Sequence, residues 1–294
     1  MLPVYTSEDI AALPADSRIR LGVIGNPIAH SKSPQMQQVA LDAEARSCRY
    51  VRLLAGTGEG EFETLLQLLA ERGFIGANVT VPFKKKAFAA AVQADALSTL
   101  CGAANTLVHR ENGWHCFNTD GPGFERAITE LCGKKLSELS IAILGAYGGA
   151  GSALCCQCAL SGCRNLTAVN RPRPELEQLH RLLQPHAAGE WRTTTFDSPD
   201  FRQAVESADL IVNATSLGLH AGDPLPLEAS RLHPGQIVYD IVTHATPLQA
   251  AAAEHGCTVS DGLGMLLWQG AIAYQHWFGS LPDTRLMRRA LLQA

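Results

Sequence analysis

Apolar residues recur along this chain in short runs, and their period alternates between that of a strand and that of a helix. Ile19–Gly25 is an apolar run ending in Gly-Asn-Pro, which predicts a strand that stops at a turn. Pro34 suits the first turn of a helix that runs to about Ser47. Tyr50–Ala55 reads as a strand, Glu59–Arg72 as an amphipathic helix and Gly76–Val81 as a further strand. Thr106–His109 and Trp114–Asn118 flank Asn112-Gly113, a strong hairpin signal. Residues 1–18 read as an irregular leader.

A second alternation begins near Gly121. Helix Phe124–Cys132 precedes strand Ile141–Gly145, a glycine turn and helix Ser152–Leu160. Strand Leu166–Asn170, helix Glu175–Leu183 and strands Trp191–Phe196, Leu210–Ala214 and Ile237–Ile241 follow. This order predicts a parallel sheet with helices on both faces. Gly262–Phe278 and Asp283–Leu292 read as helices without a sheet of their own, expected to pack back on the first domain. The expected fold is therefore α/β in two domains. Residues 1–120, completed by 262–294, form an N-terminal α/β substrate-binding domain. Residues 121–261 form a Rossmann-type, doubly wound parallel-sheet dinucleotide domain.

Composition narrows the classes. The chain has 294 residues, 46% hydrophobic and 18% charged, ordinary for a water-soluble protein with room for two cores. A formal net charge of −4 gives no electrostatic case for nucleic acid or an anionic membrane. No apolar run reaches the ~18–20 residues of a membrane span, and no signal-like segment opens the chain, so the expected location is cytoplasmic. Nine cysteines read chiefly as small apolar residues. Cys155, Cys156, Cys158 and Cys163 include a C-x-x-C spacing that also occurs at metal or redox sites. Their place on the helix behind the glycine turn favours packing, and no metal is expected.

Three polar segments each follow a strand-like run: Ser31-Lys32-Ser33-Pro34, Asn78-Val79-Thr80-Val81-Pro82-Phe83-Lys84 and Asn118-Thr119-Asp120-Gly121. Strand ends are where α/β proteins place binding groups. Hydroxyls, amides, one lysine and one carboxylate suit a small polyhydroxylated acid, with Lys84 and Asp120 able to move a proton. Taken alone, Lys84 also reads as part of a solvated Lys84-Lys85-Lys86 run, and Asp120 as a helix cap.

Gly145-Ala146-Tyr147-Gly148-Gly149-Ala150-Gly151 stands between strand and helix, the context of a dinucleotide fingerprint. Glycines let the backbone approach a pyrophosphate at the helix N-terminus. At the next strand end, neutral Asn170 replaces the acidic residue typical of NAD sites, while Arg171 and Arg173 suit a 2′-phosphate. NADP is thus the expected cofactor and NAD the alternative. The two arginines also read as a plain surface turn.

In family order, these motifs and several others make the chain resemble the shikimate/quinate dehydrogenases from Gly22 to Gly279. They are Gly25-Asn-Pro-Ile-Ala-His-Ser-Lys-Ser33-Pro, Asn78-Val-Thr-Val-Pro-Phe-Lys84, Gly102-Ala-Ala-Asn105-Thr, Asn118-Thr-Asp120-Gly, the glycine turn, Asn170-Arg171, Asn213-Ala-Thr-Ser-Leu-Gly218 and Gly262-Leu-Gly-Met-Leu-Leu-Trp-Gln269-Gly. The resemblance implies a nicotinamide-linked reduction of 3-dehydroshikimate to shikimate, a step toward aromatic amino acids, or the related quinate reaction. It implies Lys84 and Asp120 as the catalytic pair. Ser31 and Ser33 would hold the substrate carboxylate, and Thr80, Asn105 and Gln269 its ring hydroxyls, with Asn78 and Thr243 also at the substrate. The cofactor would lie on Gly145, Ala146, Gly148, Gly149, Ala150, Asn170, Arg171 and Arg173, and along Thr215, Gly218, Ile241 and Gly262. The partner is a small molecule, and the chain is a monomer or homodimer.

Three positions depart from that family pattern. Tyr147 is inserted into a turn that usually reads Gly-Ala-Gly-Gly-Ala. Pro172 follows Asn170-Arg171 where NADP-dependent members often have threonine, which removes a phosphate donor. Thr243 stands for a tyrosine at the substrate's carboxylate end, in a loop about two residues shorter, and His244 could project into the reshaped pocket. A divergent paralogue with weaker or altered shikimate activity is therefore expected. The alternatives are an NAD-linked quinate or other cyclic hydroxy-acid dehydrogenase, and a ligand-binding protein without turnover.

Overall fold

The structure, a computed structural model, describes residues 3–293. The chain divides into two compact units, one running to Thr119 and resuming at Leu267, the other spanning Asp120–Leu266.

In the first unit, the strands are β1 (Val4–Tyr5), β2 (Ile19–Gly25), β3 (Arg49–Leu54), β4 (Gly76–Val79), β5 (Gln93–Ala94), β6 (Thr106–Arg110) and β7 (Gly113–Phe117). Its helices before Thr119 are α1 (Ser7–Ala11), α2 (Ser33–Ala43), α3 (Glu61–Glu71), α4 (Lys84–Ala89) and α5 (Ala96–Cys101). The strands form one mixed sheet in the order β1-β3-β2-β4-β6-β7-β5. β1, β3, β2 and β4 run parallel, and β6 pairs antiparallel with both β4 and β7. Ile24, Leu53, Phe62, Leu69, Phe74 and Leu107 belong to its core.

The second unit opens with α6 (Asp120–Cys132), then β8 (Ser140–Leu144), α7 (Gly151–Leu160), β9 (Asn165–Asn170), α8 (Pro174–Leu183), β10 (Glu190–Thr195) and α9 (Pro199–Ser207). β11 (Leu210–Asn213), β12 (Ile237–Asp240), α10 (Pro247–Glu254) and β13 (Thr258–Ser260) complete its sheet and cover. All six strands are parallel, in the order β10-β9-β8-β11-β12-β13. β11 and β12 are buried throughout, as strands covered on both faces must be, so they read as apolar runs rather than alternations. The chain ends in α11 (Leu263–Phe278) and α12 (Thr284–Leu292), and α12 packs on α2 in the first unit. The α/β class expected from the alternation of periods is present, with a doubly wound parallel sheet in the second unit.

Several elements differ from expectation. The described part of the leader is ordered: β1 pairs with β3, and Thr6 caps α1 through a capping box with Asp9. α4, α5 and β5 occupy a stretch without a periodic signal, because six residues or fewer show too little of a helix or strand period. α10 was not expected, since its alanine run has no polar face to alternate with. α9 and β13 were likewise not anticipated.

Candidate functional site

In the first sheet, the strand order reverses between β2 and β4, the kind of switch point where open α/β sheets form ligand crevices. The chain leaving β2 carries Ser31 and Ser33, and the chain leaving β4 carries Thr80 and Lys84. The two exits are tied together: Asn26 N–H donates to Val81 O at 3.1 Å, and Thr80 N–H to Ile24 O at 2.8 Å. Phe83, fully buried, stacks on Phe62 of α3 with ring centroids 5.1 Å apart. That contact fixes the start of α4 and hence Lys84. Ala104 N–H donates to the Lys84 carbonyl at 3.0 Å, which sets Lys84 beside the segment carrying Asn105.

Below these loops lies a continuous buried polar network. Tyr50 hydroxyl donates to Asn78 Oδ1 at 2.8 Å, and Asn78 Nδ2 donates to Asn105 O and Thr106 Oγ1 at 3.3 and 3.1 Å. Thr119 N–H donates to Asn105 Oδ1 at 2.7 Å, and Asn105 Nδ2 donates to Gln269 Oε1 at 3.4 Å. Buried amides need such partners, and the pairing fixes which way each one points. Asn78 has both ends of its amide engaged by protein. The structure thus brings Asn78, Asn105 and Gln269 into one network and sets Ser31, Ser33, Thr80 and Lys84 on the strand exits above it.

Two buried residues that sequence reading did not single out support this end of the sheet. Tyr50, on β3, also hydrogen-bonds the Ser33 side chain, and burial holds its phenol well above the usual range, keeping it protonated. Arg52, two residues on, donates to the carbonyl of Ser31. The signal was the Tyr-x-Arg spacing on one strand, which puts both side chains on the same face.

In the second unit, Asp120 is buried as the first residue of α6. The order reverses again between β8 and β11. Gly145 follows β8 with φ +81°, a left-handed conformation that favours glycine, and a Cβ there would stand 2.8 Å from Ala214 carbonyl carbon. The turn then presents Gly148 and Gly149 on the surface ahead of α7, and a Cβ on Gly149 would meet nothing within 4 Å. A close-packed strand exit followed by an open glycine step before a helix is the shape a dinucleotide pyrophosphate requires. Ala146 is buried behind the turn and Ala150 caps α7. Asn170 ends β9 and donates to Arg171 O at 3.3 Å, while Arg171 and Arg173 are exposed.

The loops after β11 and β12 are tied by Asn213 and Asp240. Asn213 Nδ2 donates to Asp240 Oδ1 at 3.0 Å, and Thr215 hydroxyl donates to Asn213 Oδ1 at 2.7 Å. Thr246 hydroxyl donates to Asp240 Oδ2 at 2.7 Å. Burial raises the Asp240 carboxyl above its ordinary range, and these hydrogen bonds pull it back. Ile241 N–H donates to Asn213 O at 3.0 Å, and Gly262 N–H to Val242 O at 2.9 Å, so Ile241 and Gly262 line up at the same strand ends as Thr215 and Gly218. Thr243 is half-buried. His244, which the sequence left able to enter a reshaped pocket, is exposed and sets Nε2 3.1 Å from Gly218 O.

Cys155, Cys156 and Cys158 are buried on α7, and Cys163 follows it, also buried. Among the described residues, no group of three or more His, Cys, Asp or Glu stands where it could hold a metal ion. No described helix is long and apolar enough to cross a membrane.

Known proteins match this architecture. The family described as the shikimate dehydrogenase substrate binding domain matches residues 23–107, and the shikimate 5'-dehydrogenase C-terminal domain matches residues 262–292. A shikimate dehydrogenase (NADP(+)) of Paracoccus denitrificans is 36% identical over 92% of this chain and 95% of its own. The crystal structure of shikimate 5-dehydrogenase from Listeria monocytogenes, in complex with shikimate and NAD, superposes with a TM-score of 0.84 at 30% identity, covering 93% of this chain and 96% of that one. Quinate dehydrogenase from Corynebacterium glutamicum, in complex with NAD, superposes with a TM-score of 0.85 at 27% identity, over 95% of this chain and all of that one.

Proposed function

Because this chain belongs to the shikimate dehydrogenase family, we propose that it is an NAD(P)-dependent oxidoreductase interconverting 3-dehydroshikimate and shikimate, with NADP as its cofactor. The observation that carries this reading is the buried network from Tyr50 through Asn78 and Asn105 to Gln269. It fixes two amides beside the loop that bears Lys84, and a ring with several hydroxyls needs amides held in fixed directions.

Ser31 and Ser33 bind the substrate carboxylate through their hydroxyls. Thr80, Asn105 and Gln269 pair with the ring hydroxyls, and Asn78 sets the direction of Asn105. Lys84 Nζ donates to the oxygen of the reacting carbon, which gains negative charge as the ketone is reduced. Asp120, buried at the start of α6, supplies the carboxylate of the proposed catalytic pair. The dinucleotide, when bound, supplies the hydride for reduction or accepts it in the reverse direction. Gly145, Ala146, Gly148, Gly149 and Ala150 would hold its pyrophosphate, Asn170, Arg171 and Arg173 its adenosine end, and Thr215, Gly218, Ile241 and Gly262 would lie along it. The open glycine step before α7 supports that fit.

Initial rates with shikimate and quinate, each with NADP and NAD, test the reading. It expects the highest kcat/KM with shikimate and NADP. Rates at background with all four combinations would sink it.

A second reading is specific: an NAD-linked quinate dehydrogenase. Thr243 in a shortened loop and Pro172 after Arg171 favour it. A kcat/KM at least tenfold higher for quinate with NAD would select it. In either case we take the chain to act in the cytoplasm as a monomer or homodimer. Six of its nine cysteines are buried, which suits a reducing compartment, and light scattering reads the mass.

A further inference from the structure

The residue inserted into the glycine turn makes one specific contact. The Arg173 guanidinium carbon lies 5.8 Å from the centre of the Tyr147 ring, within the range of a cation–π pair. The partners come from consecutive strand exits, Tyr147 after β8 and Arg173 after β9. Those exits are joined by Gly145 and Ala146 N–H, which both donate to Val169 O at 2.8 and 3.1 Å. The ring and the guanidinium therefore stand where the residue closing the second strand meets the adenosine ribose in this fold class.

The helix that starts there offers an anion little. Pro174 at its first turn has no N–H, and Arg173 at the cap makes no side-chain capping bond. Glu175 and Glu177 put two carboxylates in that first turn, opposing the positive end of the helix dipole. Pro172 brings no hydroxyl. Attraction for a 2′-phosphate must then come from the guanidiniums of Arg171 and Arg173. An exposed arginine loses much rotamer freedom when it is fixed on a ligand, and a ring beneath its guanidinium removes part of that cost in advance.

We propose that Tyr147 is a specificity-determining positioning residue: its ring holds the Arg173 guanidinium at the end of β9, ready for the 2′-phosphate of an NADP-type dinucleotide. The inference rests on the dinucleotide reading given above and deepens it. The inserted ring offsets the donors lost with Pro172.

The test is calorimetric titration of the full-length protein with adenosine 2′,5′-bisphosphate and with 5′-AMP, which differ only in the 2′-phosphate. Tyr147→Ala weakens the bisphosphate about two- to fivefold and leaves 5′-AMP unchanged, the size expected of an exposed cation–π pair. Tyr147→Phe, which keeps the ring, binds both as the parent does. Arg173→Met loses the same discrimination, and adding Tyr147→Ala to it changes nothing further. Thermal unfolding checks that each variant is folded; Tyr147→Leu replaces Tyr147→Ala should the latter melt early. Equal weakening of both ligands, or no change in either, overturns the inference while leaving the dinucleotide reading intact. If the parent protein binds neither fragment, nor NADP nor NAD, that reading falls and the inference with it.

Discussion

Arg52 donates from Nε, at 3.0 Å, and from Nη2 to a single carbonyl oxygen, that of Ser31. Its guanidinium is almost wholly buried, and burial pulls its pKa down from the usual arginine value. A buried cation thus stands behind the loop whose two serines are assigned to the substrate carboxylate. It fixes the loop's path, and its charge favours an anion at the loop's outer side.

Arg52→Met removes that anchor and leaves the Ser31 carbonyl without its donor. We expect KM for shikimate to rise about tenfold, a loss of about 1.4 kcal/mol, with kcat changed less than about threefold. A fall in kcat at unchanged KM would assign Arg52 a different part.

Lys84→Ala should lower kcat by about 10²–10⁴ while the protein still binds NADP, since general acid–base groups contribute on that scale. Asp120→Asn keeps the shape of the side chain but loses its charge, so its kcat should fall too, by less than for Lys84→Ala. Full activity in Lys84→Ala would remove the lysine from the chemistry.

The loop after β12 offers a gain-of-function test. Thr243→Tyr, with two residues inserted before Thr246, restores the aromatic hydroxyl and the loop length of the family pattern. Shikimate turnover should rise, and the tie between His244 and Gly218 carbonyl should no longer be needed. No gain would mean that the shortened loop does not limit shikimate turnover.

Thiol reactivity should follow burial. Cys48, Cys116, Cys155, Cys156, Cys158 and Cys163 are buried, whereas Cys101, Cys132 and Cys257 are partly exposed. Burial pushes Cys116 up to about 11 and Cys163 up to about 12, so neither is a thiolate at pH 8. A disulfide reagent at that pH should titrate at most the three partly exposed thiols quickly, and the other six only in denaturant. Fast reaction at Cys155 or Cys158 would show that α7 is not packed as described.

The chain's own pattern determined the architecture and marked the strand-end segments from which the candidate site is proposed. Runs such as Ile141–Leu144 and Leu210–Asn213 are apolar because parallel strands are covered on both faces, and that requirement is written locally. The polar groups of Ser31, Lys84 and Asp120 stood out for the converse reason: each follows such a run without being needed by it. Tertiary structure alone decided what depends on partners distant in sequence. Arg52 read as an ordinary strand residue until the fold put Ser31 beneath its guanidinium, 21 positions away. Asn78 is joined to Tyr50 and Thr106 through both ends of its amide, 28 positions away on either side. His244 looked free to enter a pocket until Gly218 carbonyl, 26 positions earlier, met its ring. Periodicity reports which face of a segment is buried; which groups meet across that burial is set by chain closure and packing, which no local pattern contains.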